Sequence, residues 1–194
     1  AERYGEGGFN RILKNGFSLE NAHYNFMPTY TAPGHASIFT GTTPSNHGII
    51  SNNWYDKALK QSIYCVSDSN YKTIGNTGNV GEKSPKRMLT TTLSDQLHLA
   101  QNMRGKTIGI SIKDRAAILP AGHSANAAYW YDSGDRNQWI TSSYYMENLP
   151  NWVNHCLSQC YCIDTADLDR GMIRKYVKYK KTVTILRIES FVLN

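Results

Sequence analysis

The residues best suited to chemistry are a threonine at an expected helix start and a pair of cations after an expected strand. Thr31 is followed by Ala32–Gly34, an order typical of a first helical turn, where a hydroxyl caps the helix and proline is tolerated. The N–H groups and dipole at such an N-terminus bind anions such as phosphate. A hydroxyl there also acts as a nucleophile when a metal removes its proton. The spacing alone leaves both roles of Thr31 open, capping residue or nucleophile.

Lys113 and Arg115 form the second candidate group. They follow residues 106–112, a short apolar and β-branched run typical of a buried strand, and ligands of open α/β sheets gather beyond the carboxyl ends of strands. In an extended chain, residues two apart point the same way, so we expect both cations to converge while Asp114 faces elsewhere. An arginine fork and a lysine point charge suit a doubly charged phosphoryl group. Taken alone, a Lys-Asp-Arg triplet is equally typical of a surface turn.

The remaining pattern predicts the elements that position these groups. A helix begins at Thr91 or Thr92, carries apolar side chains at positions 93, 97 and 100 on one face, and ends at Gly105. It leads into the expected strand, and this order of helix, strand and turn is typical of an α/β sheet with parallel strands. Further expected elements are helices over 8–13 and 35–40, strands within 17–26 and 182–186, a hairpin over 54–67, and loop-rich segments over 75–85 and 120–150.

Composition bounds the function without identifying it. The chain has 194 residues, 40% of them hydrophobic, and a net charge of +6, which suits a folded domain or part of one and excludes wholesale disorder. No apolar run approaches the ~20 residues of a membrane-spanning helix, so no span is expected. The basic run 175–181 is interpreted as a solvated stretch, and no nucleic-acid partner is expected. The cysteines at 156, 160 and 162 match no zinc-binding spacing.

Several separated motifs occur in a set order, at residues 7–9, 31–35, 40–41, 47–49, 52–56, 111–115, 119–123 and 127–132. Together they resemble the type I phosphodiesterase/nucleotide pyrophosphatase group of the alkaline phosphatase superfamily. Within that group, the chain most resembles the bacterial alkaline phosphatases of the PafA type, which use a threonine nucleophile. The resemblance extends over residues 1–153 and implies an α/β fold, a partial and mostly parallel sheet flanked by helices.

The resemblance implies roles for four residues. Thr31 is the expected nucleophile, which forms a phospho-enzyme intermediate, and also a zinc ligand. Asn52 is expected to donate a hydrogen bond from its amide to a phosphoryl oxygen, although a structural role in a turn stays open. Lys113 and Arg115 are expected to bind the phosphoryl group, in a Lys-x-Arg pattern that resembles the mark of monoesterases.

The resemblance also implies two zinc ions. Their expected ligands are an early Asp, the threonine, an Asp-x-x-x-His pair, an Asp-His dipeptide and a late His, and of these only Thr31 stands in this chain. His35 and His47 match family motifs but are expected to be structural, bonded to loop backbone. His123 is expected near the turn that carries Lys113, behind the residues that contact substrate.

The chain is far shorter than a full member of the family. Residues 1–153 are therefore interpreted as the N-terminal part of a catalytic domain. Residues 154–194 depart from the family's pattern and are interpreted as an atypical basic, cysteine-containing tail, the product of a frameshift or truncation. We expect the chain to hydrolyse no phosphate esters by itself, and the family implies a periplasmic or secreted location.

Three functions remain as alternatives. The leading one is metal-dependent hydrolysis of small-molecule phosphate monoesters through a phospho-threonine intermediate. A phosphodiesterase or nucleotide pyrophosphatase shares Thr31 and Asn52 but has no need of Lys113 and Arg115. A non-catalytic binding or interaction fragment is the third, with the basic tail as its contact surface.

Overall fold

The computed structural model describes residues 8–134, residues 138–153 and the backbone of residues 184–187. The tail with its cysteines therefore lies outside the described residues, apart from one strand. No helix in the described ranges is long and apolar enough to cross a membrane. In chain order the elements are α1 (Phe9–Asn15), α2 (Thr31–Thr40), α3 (Pro44–His47), β1 (Asn53–Asp56), β2 (Gln61–Tyr64), β3 (Thr73–Ile74), α4 (Leu93–Ala100), β4 (Thr107–Ser111), α5 (Asp114–Ala121), β5 (Ala127–Asp132), β6 (Gln138–Ser142) and β7 (Thr184–Arg187).

The central sheet has five strands in the order β3-β6-β5-β4-β7. β4 pairs in parallel with β5 and β7, whereas β6 pairs antiparallel with β5 and β3. β1 and β2 form a separate antiparallel hairpin, as the sequence predicts for 54–67. The predicted α/β class is confirmed, as a partial sheet with helices packed on it. The strand predicted within 182–186 is confirmed as β7.

The main core lies between the sheet and the layer of α5 and α2. α5 packs on β4 and β5, and α2 packs on α5. Ala128 and Trp130 of β5 point into this core, together with Ile118 of α5 and Ala36 of α2. The alternate residues Ala127 and Tyr129 of β5 belong to a second cluster, which includes Val153. Alternate residues of β5 thus bury both faces of the strand. α5 packs on β4 and β5, so its first turn lies next to the end of β4.

Gly109 of β4 allows the close approach of α5. A Cβ placed on Gly109 would stand 2.2 Å from the carbonyl oxygen of Ala117. We expect Gly109→Ala to lower the free energy of unfolding by about 3 kcal/mol, since the helix must move away from the strand. Gly34→Ala is the matched control, because its Cβ meets nothing within 4 Å and alanine favours a helix. Urea titrations of both variants make the measurement, and equal stabilities contradict the packing argument.

Three predicted elements differ from the structure. The strand within 17–26 is wrong, because the described chain there forms turns and leaves Phe17 and Leu19 exposed, with no buried face to specify a strand. The loop-rich segment 120–150 instead contains β5 and β6, since a short aromatic run buried on both faces also forms a strand. The helix expected over 35–40 is longer and begins at Thr31, the start that the order of residues 31–34 indicates, because Pro33 fits a first helical turn.

α4 has the predicted start but buries the opposite face. Thr92, one of the two predicted caps, caps the helix and forms a capping box with Asp95. The predicted apolar face is exposed, with Leu93 68% accessible, while Asp95 and His98 are buried. The Asp95 carboxylate explains this choice, because it also accepts hydrogen bonds from Ser124 N (2.7 Å) and Ser124 Oγ (2.8 Å). The polar face of α4 therefore docks on the chain that follows α5.

The carboxylate of Asp95 makes stability depend on pH. Burial raises its pKa, but hydrogen bonds from Thr92 and Ser124 outweigh burial and hold the pKa below its ordinary value. Since an unfolded aspartate titrates near pH ~3.9, the stabilisation is complete above that pH and is lost as pH falls through the folded pKa. We expect Asp95→Asn to flatten the fall of stability between about pH 5 and 3, measured by urea unfolding. The exposed Glu20→Gln control should keep the wild-type slope, and an unchanged slope in Asp95→Asn contradicts the assignment.

Candidate active site

Thr31 stands at the N-terminus of α2, one position later than the sequence suggests. The N-cap is Tyr30, in extended backbone and without a side-chain capping bond, and Thr31 is the first helical residue. Its predicted capping role is therefore wrong. The Thr31 side chain is half-buried at the end of α2 that presents backbone N–H groups, where an anion is favoured.

Asn52 lies beside Thr31 and its amide is oriented by α2. The Asn52 Oδ1 atom accepts a hydrogen bond from the backbone N–H of Ala32 at 2.9 Å. Because the oxygen end of the amide is engaged, the Nδ2 group is the end available to donate, and within the described residues it has no acceptor. The Asn52 carbonyl in turn accepts from Cys65 N at 2.9 Å, which ties this residue to the end of β2.

Lys113 and Arg115 follow the end of β4, but not in extended chain. Lys113 is the N-cap of α5 in extended backbone, and Asp114 and Arg115 are already helical. The prediction that Asp114 faces away is wrong: its Oδ1 accepts from Arg115 N at 2.7 Å and lies 3.8 Å from Arg115 Nη1. The helix starts here because the Asp114 carboxylate suits the N-terminal turn.

Both cations nevertheless line one pocket of about 350 Å³ at the carboxyl end of β4. Lys83 adds a third positive charge, and Asp114 and Asp132 contribute carboxylates. The remaining lining is mainly aromatic and aliphatic: Tyr64, Val80, Ile112, Trp130, Tyr131, Ser133 and Ile140. The excess of cations over acids and the partly apolar wall suit an anionic group attached to an organic body.

Tyr64 contacts both Asp114 and Arg115 in this pocket. Its hydroxyl donates to Asp114 Oδ1 at 2.6 Å and accepts from Arg115 Nη1 at 2.8 Å. Burial and the neighbouring Asp114 carboxylate raise the pKa of Tyr64 far above its ordinary value, so the hydroxyl keeps its proton. Sequence reasoning missed Tyr64 and Lys83, because neither lies near residues 113–115 in the chain and no local pattern marks them.

Electrostatic effects connect this pocket to α2. The Nδ1–H group of His35 donates a hydrogen bond to the carbonyl oxygen of Thr31 at 2.7 Å. Burial lowers the pKa of His35 against the effect of that bond, and the positive charge of Arg115 lowers it further. Thr31 and Asn52 do not themselves line the pocket. The structure thus forms two pairs, Thr31 with Asn52 at the start of α2 and Lys113 with Arg115 at the start of α5, and these two helices pack against each other.

The other candidate histidines lie apart from this chemistry. His47 is fully buried; its Nδ1 accepts from Ile49 N at 3.1 Å, and its Nε2 therefore donates to Ser37 Oγ at 2.9 Å. That structural role was expected. His123 follows the C-terminal end of α5, about 12 Å along the helix from Lys113, so its expected place near that turn is wrong.

A zinc centre does not fit the described residues alone. Thr31 offers one oxygen, but the described ranges hold no group of three or more His, Cys, Asp or Glu side chains able to share a metal ion. A two-zinc site needs several such ligands. For the residues of this chain we therefore propose no reaction step that takes place on a metal ion.

Comparisons with known proteins agree with the resemblance. Alkaline phosphatase PafA of Elizabethkingia meningoseptica is 53% identical over 153 residues, and alkaline phosphatase PhoV of Synechococcus elongatus is 53% identical over 152; each match covers 78% of this chain. The chain spans only 28% of the length of these relatives. The crystal structure of PafA matches with a TM-score of 0.74 at 52% identity, over 79% of this chain and 30% of that one.

A second PafA structure carries substitutions of one threonine, one asparagine, one lysine and one arginine, and matches with a TM-score of 0.74 at 50% identity over 79% of this chain and 30% of that one. Residues 2–184 match the family described as type I phosphodiesterase / nucleotide pyrophosphatase. The match includes both pairs of the candidate site and every element from α1 to β6. The chain belongs to the type I phosphodiesterase / nucleotide pyrophosphatase family.

Proposed function

We propose that this chain carries the nucleophile and the phosphoryl-binding residues of an enzyme that hydrolyses small-molecule phosphate monoesters. The observation that carries the proposal is the convergence of Lys113 and Arg115 on one pocket at the start of α5, a helix that packs against α2, whose first turn holds Thr31 and contacts Asn52. Residues 1–153 are proposed to be the N-terminal part of the catalytic domain, and 154–194 an atypical tail. A periplasmic or secreted location belongs to the same proposal.

The proposed reaction uses the residues in four roles. Thr31 Oγ1 attacks phosphorus in line with the ester oxygen, and the new P–O bond forms as the ester bond breaks. The Thr31 hydroxyl gives up its proton to water, and the alcohol takes a proton from water as it leaves. Asn52 donates from Nδ2 to a phosphoryl oxygen, while Lys113 and Arg115 hold the others. Water then hydrolyses the phospho-threonine and releases phosphate.

The proposal includes a requirement for a metal ion, because the relatives of this chain are alkaline phosphatases. We propose zinc, with Thr31 as one ligand and the other ligands supplied from outside the described residues. For this reason the chain by itself is expected to bind phosphate without turning over its esters. Zinc-dependent hydrolysis by the purified 194-residue chain contradicts that expectation.

The substituted PafA structure supports the choice of residues. Its threonine and asparagine stand 21 positions apart, and its lysine and arginine two apart. Thr31 and Asn52 have the same spacing in this chain, and so do Lys113 and Arg115. The four residue types and both spacings are thus shared.

Binding of inorganic phosphate tests the site in the chain as it is. We expect Lys113→Ala and Arg115→Ala each to weaken phosphate binding about tenfold or more, because each removes a charge-assisted contact. Isothermal titration of the full chain makes the measurement. The exposed Lys57→Ala removes the same charge away from the pocket and should stay within about twofold of wild type, as expected for screened surface charge. Equal affinities in all four proteins contradict the proposed site.

A phosphodiesterase is the second candidate, since the matching family includes phosphodiesterases by name. It rests on Thr31 and Asn52 and leaves Lys113 and Arg115 without a required role. The Lys113 and Arg115 variants therefore separate the two candidates, as argued in the Discussion.

A further inference from the structure

The pocket contains an acid where a phosphate site would be expected to exclude one. Asp114 stands between Lys113 and Arg115 and lines the same pocket. An uncommitted carboxylate there repels an anionic ligand. This carboxylate is committed, however: it accepts the Tyr64 hydroxyl proton at 2.6 Å and the Arg115 backbone N–H at 2.7 Å.

The Tyr64 hydroxyl is inserted between the acid and the guanidinium. Arg115 Nη1 is 2.8 Å from the Tyr64 oxygen but 3.8 Å from Asp114 Oδ1, so the tyrosine holds the arginine and the acid holds the tyrosine. Because the single hydroxyl proton points to Asp114, the oxygen lone pairs face Arg115. A direct bidentate pair with Asp114 would consume two donors of the guanidinium, whereas this arrangement consumes one.

The ring of Tyr64 supports the same cation. The Arg115 Cζ atom is 5.9 Å from the ring centroid, and Lys83 Nζ is 4.9 Å from it. The Arg115 side chain is mostly buried, at 16% exposure, and its Nε has no hydrogen-bond partner among the described residues. Tyr64 therefore contacts Arg115 in two ways, through its aromatic ring and through its hydroxyl oxygen, which accepts one hydrogen bond. The other N–H donors of the Arg115 guanidinium stay uncommitted within the described part of the chain.

We infer that Tyr64, held by Asp114, is the residue that positions Arg115 for phosphoryl binding. The inference rests on the proposed function, because it assigns Arg115 to the phosphoryl group. Tyr64 acts through Arg115 and is a positioning residue. The ligand of Arg115 in this inference is a phosphate group with two or more unsubstituted oxygens. The donors of the guanidinium that Tyr64 leaves free can form hydrogen bonds to those oxygens.

A double-mutant cycle with inorganic phosphate tests the inference in the full chain. Tyr64→Phe keeps the ring and removes only the hydroxyl, and we expect phosphate affinity to fall about fivefold to tenfold, as for one lost contact to a charged group. In an Arg115→Ala background the same change should have less than about a twofold effect, whereas in a Lys113→Ala background it should keep its full effect. An equal effect in the Arg115→Ala background overturns the inference.

Asp114→Asn distinguishes positioning from simple charge. Removing a negative charge from the pocket strengthens phosphate binding if the acid acts only by repulsion. If the acid holds Tyr64, binding weakens despite the more favourable charge, and we expect a loss of about twofold to fivefold. Stronger binding overturns the assigned role of Asp114. Tyr55→Phe, which changes an exposed tyrosine of the neighbouring strand, is the matched control and should leave phosphate affinity unchanged.

A spectroscopic readout separates this inference from the proposed function. The Nε–H resonance of Arg115 in a proton–nitrogen correlation spectrum should shift in Tyr64→Phe and Asp114→Asn and stay in place in Tyr55→Phe, without any ligand. If Lys113→Ala and Arg115→Ala leave phosphate affinity unchanged, the proposed function fails and the phosphoryl-binding part of this inference fails with it; a shifted resonance then shows only that Tyr64 and Asp114 hold Arg115. If they weaken binding and the resonance does not shift, the positioning role alone fails.

Discussion

Thr31→Ala should reduce phosphomonoester hydrolysis by about a thousandfold or more, because no other side chain can replace a lost nucleophile. The expectation applies to a chimera in which residues 8–153 replace the matching part of PafA, since this chain spans only 28% of that relative. Initial rates with p-nitrophenyl phosphate make the measurement. Thr31 is half-buried at the start of α2, the end of the helix that favours an anion, and its hydroxyl is therefore placed to attack a phosphoryl group there.

Two further variants separate the lost nucleophile from a damaged helix. Thr31→Ser keeps a hydroxyl in the same place and should retain at least about a tenth of the activity, because the attacking group is preserved. Thr40→Ala removes a hydroxyl at the other end of α2, one bonded only to the Ala36 carbonyl at 2.7 Å, and should leave activity unchanged. Radiolabelled phosphate should remain on the acid-quenched chimera and be absent from Thr31→Ala. A labelled Thr31→Ala protein, or an inactive parent chimera, contradicts the proposal.

Local pattern predicted the elements of this fold where local forces decide them. A threonine cap, Thr92, starts α4 as predicted, and the β-branched run before Lys113 forms β4. Local pattern failed where burial decides. Leu93 is apolar yet exposed, because the hydrogen bonds of Asp95 to Ser124, 29 residues away, choose the face that docks. Such a choice depends on a partner that no window around α4 contains.

The candidate site divides in the same way. Thr31 and the Lys113–Arg115 pair are recognisable because helix starts and strand ends place polar groups at predictable edges. Tyr64 is 51 residues from Arg115 and lies on the separate β1–β2 hairpin, so its contact with the guanidinium follows from the tertiary fold that brings the end of β2 to the start of α5. The interval between two residues in the chain carries no information about such a contact. The residues proposed to bind the substrate therefore lie where local pattern predicts polar groups, whereas the residue that contacts Arg115 was not predictable in this way.

Replacing both Lys113 and Arg115 by alanine in the same chimera should change which ester is hydrolysed. A monoester dianion presents three unsubstituted oxygens that share two negative charges, whereas a diester presents two oxygens that share one. We expect monoester hydrolysis to fall by about 10²–10⁴-fold, since removing one donor to a developing charge typically costs about 10²–10³. Hydrolysis of bis-p-nitrophenyl phosphate should fall by less than about tenfold, because the second cation has less charge to neutralise.

The ratio of the two rates, and not either rate alone, decides between the candidate functions. Both cations line one pocket and Tyr64 holds Arg115, so we propose that the pair acts as a preorganised receptor for the extra charge of a monoester. Lys57→Ala controls for the general loss of positive charge and should preserve the ratio. If the double variant lowers both activities equally, the cations serve phosphoryl binding in general and give no selectivity for monoesters. If it leaves both activities unchanged, the cations have no required role, as the phosphodiesterase candidate expects. If the ratio falls by about tenfold or more, Lys113 and Arg115 are the residues that make this site selective for monoesters.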